Sequence, residues 1–529
     1  MFDDFRFWLE TVFIKRTVPP PLERMQLRPD DSPANPLMIQ FFTWDCLHES
    51  LSWWKHLEEE IPNLAEQGYT QIWLPPPNKA AELDGRGYDA YDLWDLGEFE
   101  HKGHIRTRWG TREELLSACS AARRHGIDIL IDAVLNHKLG ADRHETFMAV
   151  PSNPDNRLKD DGPPRLIDGW TAFDYPTRNG KYSSFRWTKD HFSGVDWDQK
   201  TQTKAIYRIV EPGHKGWSRN VDTELGNYDF LLGVDIDHSH PAVQEDLLKW
   251  GNWILGTTGA AGFRLDAIKH FDRKFLLSWI QHVRKRTGND KMFCVAEYWS
   301  ADLDKVIPYL RFFRGETSFF DVPLHHNFHL ASRQSDSFDL RQIFKKTVVG
   351  LQPGDAVTFV DNHDTVSWEL LDCHWMQDSQ SLESWVSENF KTQAYALILL
   401  RASGYPCVFY GDLYPNREGY SERTAKNLRI LVEARKYYAY GPQQDYFSEK
   451  NCIGFVRKGD RSHPGCAVVL SNKSGPATFK HEVRMNVGLA NGGSSYRSLM
   501  TQEGKVAIDA QGWGSFFCFA NSVQVWVKV

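Results

Sequence analysis

The chain has 529 residues, of which 41% are hydrophobic and 25% are charged, and its formal net charge is −7 at pH 7. A chain of this length predicts two or three domains, because a single hydrophobic core rarely serves more than about 300 residues. The negative charge argues against nucleic acid or an anionic membrane as a partner. No run of about 18 apolar residues is present, so the sequence predicts no membrane-spanning segment.

Residues 1–36 are polar and interrupted by prolines, as in TVPPPLER and RPDDSPANP. We expect them to form an N-terminal extension outside the main fold. They lack a basic stretch followed by a long apolar one, which is the pattern of a secretory signal. The 8 cysteines are scattered and form no CxxC motif, which favours reduced thiols. The sequence therefore predicts a cytoplasmic protein, which we expect to be a monomer.

After this extension, short apolar segments alternate with amphipathic helices. In one of these helices Thr111 and Glu114 form the capping-box pattern TREE, and the helix should end at Gly126. Each predicted strand is short and almost entirely apolar, as is typical of a parallel sheet covered by helices. We therefore predict an α/β fold in which residues 37–137 and 241–434 form a catalytic (β/α)8 TIM barrel.

Two further regions break the alternation of strand and helix. Residues 138–240 are rich in Gly, Pro, Asp and Trp and show few helical patterns. We expect an inserted, irregular, β-rich domain B that follows a barrel strand. Beyond this barrel, the runs CIGFVRKG, GCAVVLSN and SVQVWVKV are separated by turns, and they predict an antiparallel β-sandwich over residues 435–529.

Polar side chains follow four of the predicted barrel strands. In a parallel barrel the C-terminal ends of the strands meet at one face, where side chains from several strands build the active site. One such strand would be weak support, since a carboxylate in this position often caps a helix, but four together predict a catalytic face. The segments LIDAVLNH, GFRLDAIKH, CVAEYW and TFVDNHD contribute Asp132, Asn136, His137, Arg264, Asp266, Lys269, His270, Glu297, Asp361, His363 and Asp364.

Three of these carboxylates fit the cleavage of a glycosidic bond, which needs one carboxylate to attack and one carboxylic acid to protonate the leaving oxygen. Arg264 and Asp266 are two positions apart on a strand and project to the same side, so the guanidinium should keep Asp266 ionised as a nucleophile. Glu297 ends an apolar strand, and burial beside other carboxylates should raise its pKa, which suits a general acid/base. We expect Asp364 to bind sugar hydroxyls and to stabilise the transition state.

In the order DAVLNH, GFRLDAIKH, VAEYW and FVDNHD, these segments resemble the signature regions of the α-amylase family of glycoside hydrolases (family 13). GVDIDHSHP resembles a fifth region of that family. The segments GYDAYDLWDLGEF, FDVPLHHNFH and SGYPCVFYGDLY are similar to parts of liquefying bacterial α-amylases and of their fungal intracellular relatives. The resemblance extends from about residue 37 to the C-terminus.

The resemblance implies endo-acting, retaining hydrolysis of α-1,4-glucosidic bonds in starch, glycogen and malto-oligosaccharides. It implies that Asp266 forms the covalent intermediate, that Glu297 is the acid/base, and that Asp364 stabilises the transition state. The residues that it implies for substrate binding are Tyr88, His137, Arg264, Lys269, Trp299 and His363. For Tyr88 and Trp299, packing in the core is the alternative interpretation.

The resemblance also implies one structural Ca²⁺ ion where the barrel joins domain B. Calcium prefers carboxylate and carbonyl oxygens, and the implied ligands are Asn136, Asp229, Asp235 and the backbone carbonyl of His270. Bacterial relatives often hold a second calcium and a sodium nearby. The aspartates for those ions are replaced here by Ser193, Ser218 and Ser239, so we expect one calcium only.

Two other functions remain open at the level of the sequence. A transglycosylating or maltogenic enzyme of the same family would carry the same signature residues, because the difference lies in the loops that shape the cleft. A catalytically silent glucan-binding relative would keep the barrel and lose its carboxylates. Asp266, Glu297 and Asp364 are all present, which argues against the silent relative.

Overall fold

A computed structural model describes residues 19–30, 32–365, 384–415, 420–501 and 504–529. The β-strands in these residues, in chain order, are β1 (Met38–Gln40), β2 (Gln71–Trp73), β3 (Lys79–Ala80), β4 (Ala90–Asp92), β5 (Asp128–Ala133), β6 (His137–Lys138), β7 (Arg143–Pro151), β8 (Arg165–Ala172), β9 (Phe192–Asp198), β10 (Thr203–Ile209), β11 (Val234–Ile236), β12 (Gly262–Leu265), β13 (Phe293–Ala296), β14 (Ser318–Phe320), β15 (Ala356–Phe359), β16 (Tyr405–Phe409), β17 (Gln443–Tyr446), β18 (Cys452–Arg457), β19 (Cys466–Ser471), β20 (Lys480–Asn486), β21 (Ser495–Ser498), β22 (Lys505–Ala507), β23 (Trp513–Phe519) and β24 (Val523–Lys528).

The α-helices of the same residues lie mainly between the strands of one sheet. In chain order they are α1 (Pro21–Arg24), α2 (Trp53–Gln67), α3 (Arg112–Arg124), α4 (Pro241–Thr258), α5 (Arg273–Thr287), α6 (Leu303–Phe313), α7 (Val322–Gln334), α8 (Val348–Leu351), α9 (Glu388–Leu400), α10 (Tyr410–Leu413) and α11 (Glu422–Tyr437). Within the described part of the chain, no helix combines the length and the apolar character needed to cross a membrane.

Eight parallel strands close into a barrel in the order β1-β16-β15-β14-β13-β12-β5-β2. The strands are almost fully buried, since β12, β13, β15 and β16 contain only buried residues. Strands buried on both faces and joined by helices form a parallel barrel, because each connection must return across the outside of the sheet. The closed barrel confirms the predicted (β/α)8 fold.

Local sequence signals set the ends of the barrel helices. The Thr111 side chain accepts a hydrogen bond from the backbone N–H of Glu114, whose carboxylate accepts one from the N–H of Thr111, so the predicted capping box is present. Helix α5 begins after Asp272, whose carboxylate accepts hydrogen bonds from two backbone N–H groups of the first turn. It ends at Gly288, where φ is 66°, a left-handed conformation that glycine adopts without strain.

The inserted region contains a six-stranded sheet in the order β6-β11-β9-β10-β7-β8. The neighbouring strands pair antiparallel, and β11 pairs with β6 so that Asp235 lies opposite His137. The sequence predicted an irregular, β-rich domain because residues 138–240 are rich in Gly, Pro, Asp and Trp and show few helical patterns. The sheet is more regular than that prediction, and it begins directly behind barrel strand β5.

The C-terminal region forms two packed antiparallel layers, as its short β-type runs predict. One layer is the six-stranded sheet β17-β18-β19-β24-β21-β22, and the other is the pair β20-β23. The layers bury a separate apolar cluster, whose fully buried members include Val456, Val469, Met485, Phe516 and Trp526. This second core makes the region a β-unit of its own beside the barrel.

The described part of the N-terminal segment, residues 19–30 and 32–36, packs against the N-terminal end of the barrel, although the sequence predicted an extension outside the main fold. Met25 is buried, and the Gln26 side chain donates to Asp128 Oδ2 at 3.1 Å. The Gln71 side chain donates to the backbone carbonyl of Gln26 at 2.9 Å, and Arg24 pairs with Glu316 at 2.9 Å. The prolines hid this packing, because they remove the periodic pattern that would indicate an ordered segment.

Candidate active site

One buried arginine joins three carboxylates at the C-terminal end of the barrel. Arg264 Nη1 lies 2.8 Å from Asp132 Oδ1 and 2.6 Å from Asp266 Oδ1. Arg264 Nη2 lies 2.8 Å from Glu297 Oε2. The Arg264 side chain is only 1% exposed, so these charge-assisted hydrogen bonds act in a dry environment, where they fix the carboxylates firmly.

The register of three neighbouring strands brings these groups together. Arg264 on β12 pairs with Asp132 on β5 and with Val295 on β13. Asp266 and Glu297 are the first residues after β12 and β13. Because parallel strands in this register end at the same level, the side chains that follow them meet at one face of the barrel.

The pKa of Asp266 depends more on burial than on the neighbouring arginine. Burial raises its pKa to about 6, and the negative charge of Asp132 acts in the same direction. The Arg264 guanidinium lowers the pKa, as the sequence predicted, but it does not outweigh burial. Asp266 therefore remains largely ionised at pH 7, although its pKa lies above that of an ordinary aspartate.

Glu297 has the raised pKa that the sequence predicted. Burial is the main cause, and the Asp266 carboxylate adds to it, while Arg264 opposes both. The backbone N–H of Ala267 donates to Glu297 Oε2 at 3.1 Å. Ala267 has a φ of 48°, an uncommon conformation for a residue with a side chain, and such strained positions often occur at functional sites. The turn after β12 therefore orients the carboxyl group that ends β13.

Asp364 and His363 follow barrel strand β15. His363 Nε2 lies 3.4 Å from Asp364 Oδ2. The Gln40 side chain donates to His363 Nδ1 at 3.0 Å, which leaves the ring proton on Nε2, beside Asp364. Burial lowers the pKa of His363 well below its usual value, so the ring is neutral. Burial and the nearby Glu297 carboxylate raise the pKa of Asp364 well above its usual value.

Aromatic rings form one wall of this site. The Tyr88 ring is stacked on His363, with centroids 5.1 Å apart and planes 8° apart. Trp44 is stacked at 5.9 Å from Tyr88, with planes 10° apart. The Tyr88 hydroxyl donates to Asp132 Oδ2 at 2.8 Å, and His137 Nε2 donates to the Tyr88 backbone carbonyl at 2.8 Å. Stacked rings anchored by polar atoms offer a platform for an apolar sugar face.

Lys269 and Trp299 lie away from this wall. Lys269 Nζ is 2.8 Å from Glu224 Oε2, which belongs to the inserted region, so this ion pair joins that region to the catalytic strand. The Trp299 ring centroid lies 5.8 Å from that of His325 and 6.4 Å from that of Phe359. Trp299 is half-buried, so it packs on one side and is accessible on the other. This position is compatible both with packing in the core and with sugar binding.

The residues suggested for calcium fit a cation. Asp229 and Asp235 are buried, and burial together with their mutual repulsion raises the pKa of Asp235 well above its usual value. Asn136 Oδ1 is buried and has no hydrogen-bond partner among the described residues. His270 Nδ1 donates to the Tyr228 backbone carbonyl at 3.0 Å. Two buried carboxylates and an unpartnered amide oxygen are the oxygen ligands that suit a cation.

This set would not be found by searching for metal-binding side chains alone. No group of three or more His, Cys, Asp or Glu side chains suited to a metal occurs in the described ranges of the chain. The suggested set has only two carboxylates, and its other ligands are an amide oxygen and a backbone carbonyl. Of the three serine hydroxyls, that of Ser193 donates to Asp235 and that of Ser218 donates to Asp272 at 2.9 Å, whereas the buried Ser239 Oγ has no hydrogen-bond partner among the described residues.

Three residues of the site had no role in the sequence analysis. Asp132 was noted only as a polar strand end, yet it binds Arg264, Tyr88 and the Trp73 indole N–H, which donates at 2.9 Å. The strand register was the signal that could have revealed it. Glu224 and Trp44 gave no signal, because each lies in a segment without a periodic pattern and reaches the site only through the tertiary fold.

Carboxylates held by an arginine at the C-terminal face of a parallel barrel, beside stacked aromatic rings, define a barrel enzyme of the glycoside hydrolase type. A family model described as the alpha amylase catalytic domain matches residues 53–427. The chain therefore belongs to the alpha-amylase family.

Two curated relatives resemble the chain over nearly their whole length. A glucan 1,4-alpha-maltohexaosidase from Bacillus sp. (strain 707) is 42% identical over 94% of this chain and 93% of its own length. A cytoplasmic alpha-amylase from Escherichia coli (strain K12) is 39% identical over 93% of this chain and 99% of its own. Among solved structures, an alpha-amylase from Geobacillus thermoleovorans complexed with acarbose matches with a TM-score of 0.60 at 18% identity, and covers 94% of this chain and 98% of that one. This last match supports the fold alone.

Proposed function

We propose that the protein is an endo-acting α-amylase that hydrolyses α-1,4-glucosidic bonds in starch, glycogen and malto-oligosaccharides with retention of configuration. The observation that carries this proposal is the contact of Arg264 with Asp266 and Glu297. It holds two buried carboxyl groups on one guanidinium at the C-terminal face of the barrel, and a double displacement needs such a pair, one group to attack and one to donate a proton.

In the first step, Glu297 protonates the glycosidic oxygen while Asp266 attacks the anomeric carbon. The bond between that carbon and the leaving oxygen breaks, and a covalent glycosyl–Asp266 ester forms. In the second step, ionised Glu297 removes a proton from water, the water oxygen attacks the anomeric carbon, and Asp266 leaves as a carboxylate. Asp364 binds sugar hydroxyls and stabilises the positive charge that develops on the ring.

The surrounding residues bind the sugar. Tyr88 stacks on the ring at the cleavage point, and His363, neutral because burial lowers its pKa, donates from Nε2 to a sugar hydroxyl. His137, also neutral because burial lowers its pKa, donates to the Tyr88 carbonyl and so positions that ring beside the sugar. Lys269 and Trp299 contact the sugar on the leaving-group side. The Lys269–Glu224 ion pair positions the lysine from the inserted region.

Product analysis on soluble starch tests this function. An endo-acting enzyme lowers the viscosity and the iodine staining quickly while it releases mixed malto-oligosaccharides. Proton NMR of the first products should show the α-anomer before mutarotation, as retention requires. Release of a single short product from the chain end from the start, or β-anomers first, would contradict the proposal.

We also propose one structural calcium ion, held by Asn136, Asp229, Asp235 and the His270 carbonyl. Bound there, the ion supplies positive charge that ties the inserted region to the end of the catalytic strand. Two observations support it: the unpartnered Asn136 Oδ1 and the repulsion between the two buried carboxylates. Ser193, Ser218 and Ser239 carry no charge, so we propose that no second calcium or sodium is bound.

We propose, finally, a cytoplasmic monomer. The relative from Escherichia coli (strain K12) that resembles the chain over 99% of its own length is called cytoplasmic, which supports the location. Fractionation of the source cells followed by an activity stain tests the location, and light scattering of the purified protein tests the monomer.

A further inference from the structure

A cavity lies at the N-terminal end of the barrel, opposite the active site. Its volume is about 290 Å³, and we call it the basal cavity. Three parts of the molecule meet there: the N-terminal segment with Asn35, the loop before β16 with Arg401 and Gly404, and Arg457 from the C-terminal unit. Arg435, at the end of α11, also lines it.

Arg435 is a buried cation in the wall of this cavity. It is 6% exposed, and its guanidinium donates to the Pro36 carbonyl at 2.7 Å and to the Leu399 carbonyl at 2.6 Å. No carboxylate of the described segments forms an ion pair with it. These neutral acceptors satisfy some of its N–H groups and leave its charge uncompensated, which is costly in a buried position.

Arg457, which also lines the cavity, is buried in the same way. It is 7% exposed, and it donates from Nε to the Gly441 carbonyl and from Nη1 to the Leu400 carbonyl, both at 3.1 Å. Within the part of the chain that the structure describes, its Nη2 donates to no acceptor. Burial and the charge of Arg457 lower the pKa of Arg435 to about 9, so the two guanidinium groups repel each other.

Neither Asp445 nor Glu23 forms an ion pair with Arg435 or Arg457. Asp445 binds Arg401 through both of its oxygens, at 2.7 and 2.9 Å, and is therefore already neutralised. Glu23, a residue of the N-terminal segment, lines the cavity but forms no ion pair with another described residue. Two buried positive charges therefore face a space that is large enough for a small ligand.

We propose that the basal cavity binds a phosphate-type oxyanion between Arg435 and Arg457. The remaining guanidinium N–H groups donate to its oxygens, as arginine does in most oxyanion sites. The bound group links the N-terminal segment, the barrel and the C-terminal unit, so its occupancy stabilises their packing. The phosphate group comes from free phosphate or from a hexose monophosphate, both of which carry this chemistry.

Isothermal titration of the whole protein with inorganic phosphate, in a buffer without other oxyanions, tests the site. We expect saturable binding with one phosphate per chain. Arg457→Gln should weaken binding by about tenfold or more, because it removes a charged donor. Glu23→Gln should tighten binding, because it removes a negative charge from the wall. Arg484→Gln, on the exposed face of β20, is the matched control and should leave binding unchanged.

Folding of each variant is checked by its activity on starch and its melting temperature without phosphate. Arg457→Lys keeps the charge and should retain part of the affinity if Arg457→Gln proves unstable. A parallel titration with glucose 6-phosphate decides the source: tighter binding than phosphate indicates a sugar phosphate, and equal or weaker binding indicates free phosphate. No saturable heat with either ligand, or equal affinity in wild type and both Arg457 variants, overturns the proposal.

Discussion

Arg264 Nη1 lies 2.6 Å from Asp266 Oδ1, and yet the pKa of Asp266 is about 6, above that of an ordinary aspartate. The arginine does not lower it further because the same guanidinium also binds Asp132 and Glu297. One positive charge is thus shared among three carboxylates, and burial disfavours ionisation of each of them. This sharing leaves the pKa of Asp266 and that of Glu297 both above their usual values, and Asp266 is still largely ionised at neutral pH.

The acid limb of activity should follow the ionisation of Asp266. A nucleophile must be ionised, and a pKa of about 6 means that Asp266 is protonated increasingly as the pH falls through that value. We expect kcat/KM on a soluble maltooligosaccharide to fall below about pH 6 with a slope of one proton. An acid limb near pH 4 would show that burial raises this pKa less than the structure indicates.

Asp132→Asn should move that limb to lower pH. Asp132 raises the pKa of Asp266 through its negative charge and competes with it for Arg264. Removing the charge favours ionised Asp266, although kcat should also fall because Arg264 and Tyr88 lose a partner. Asp509→Asn, an exposed carboxylate of the C-terminal unit, should leave the pH profile unchanged. A limb that moves to higher pH in Asp132→Asn would contradict the shared-arginine model.

Asp266→Asn should abolish hydrolysis and keep the fold. The amide cannot form the glycosyl ester, so we expect the rate on starch to fall by about three orders of magnitude or more. Circular dichroism and the melting temperature check the fold, and Asp509→Asn is again the control. More than a few per cent of residual activity in purified protein would mean that another group is the nucleophile.

Glu297→Gln should discriminate between substrates. On starch the variant should be almost inactive, because a poor leaving group needs a proton in the first step. On a maltooligosaccharide with a nitrophenyl leaving group the first step needs no acid, so partial activity should remain. Equal loss on both substrates would assign Glu297 a role other than proton donor.

Metal analysis of the dialysed protein should find about one calcium per chain, the number that a single set of oxygen ligands supports. A chelator should lower the melting temperature, and Asp229→Asn should reduce the stabilisation by added calcium. Asp190→Asn, an exposed carboxylate of the inserted region, should respond to calcium as the wild type does. Two tightly held calciums, or none with full stability in chelator, would disprove the proposed site.

The sequence by itself determined the barrel and the identity of the strand-end groups. Apolar strands such as GFRL and FCVA can be buried only between helices, and Asp266 and Glu297 follow them directly. Such information is local, because the period of the apolar pattern defines the element and the element's end defines the position of the polar side chain. The capping box at Thr111 was likewise readable from four residues.

Only the tertiary structure decided how these groups act on one another. The pKa of Asp266 depends on burial and on Asp132, which lies 134 positions earlier in the chain and meets Arg264 through strand register. Glu224 reaches Lys269 from the inserted region, and Gln26 reaches Asp128 from a proline-interrupted segment. Electrostatic and packing interactions depend on distance in space, and no local pattern encodes the distance between residues that are far apart in sequence.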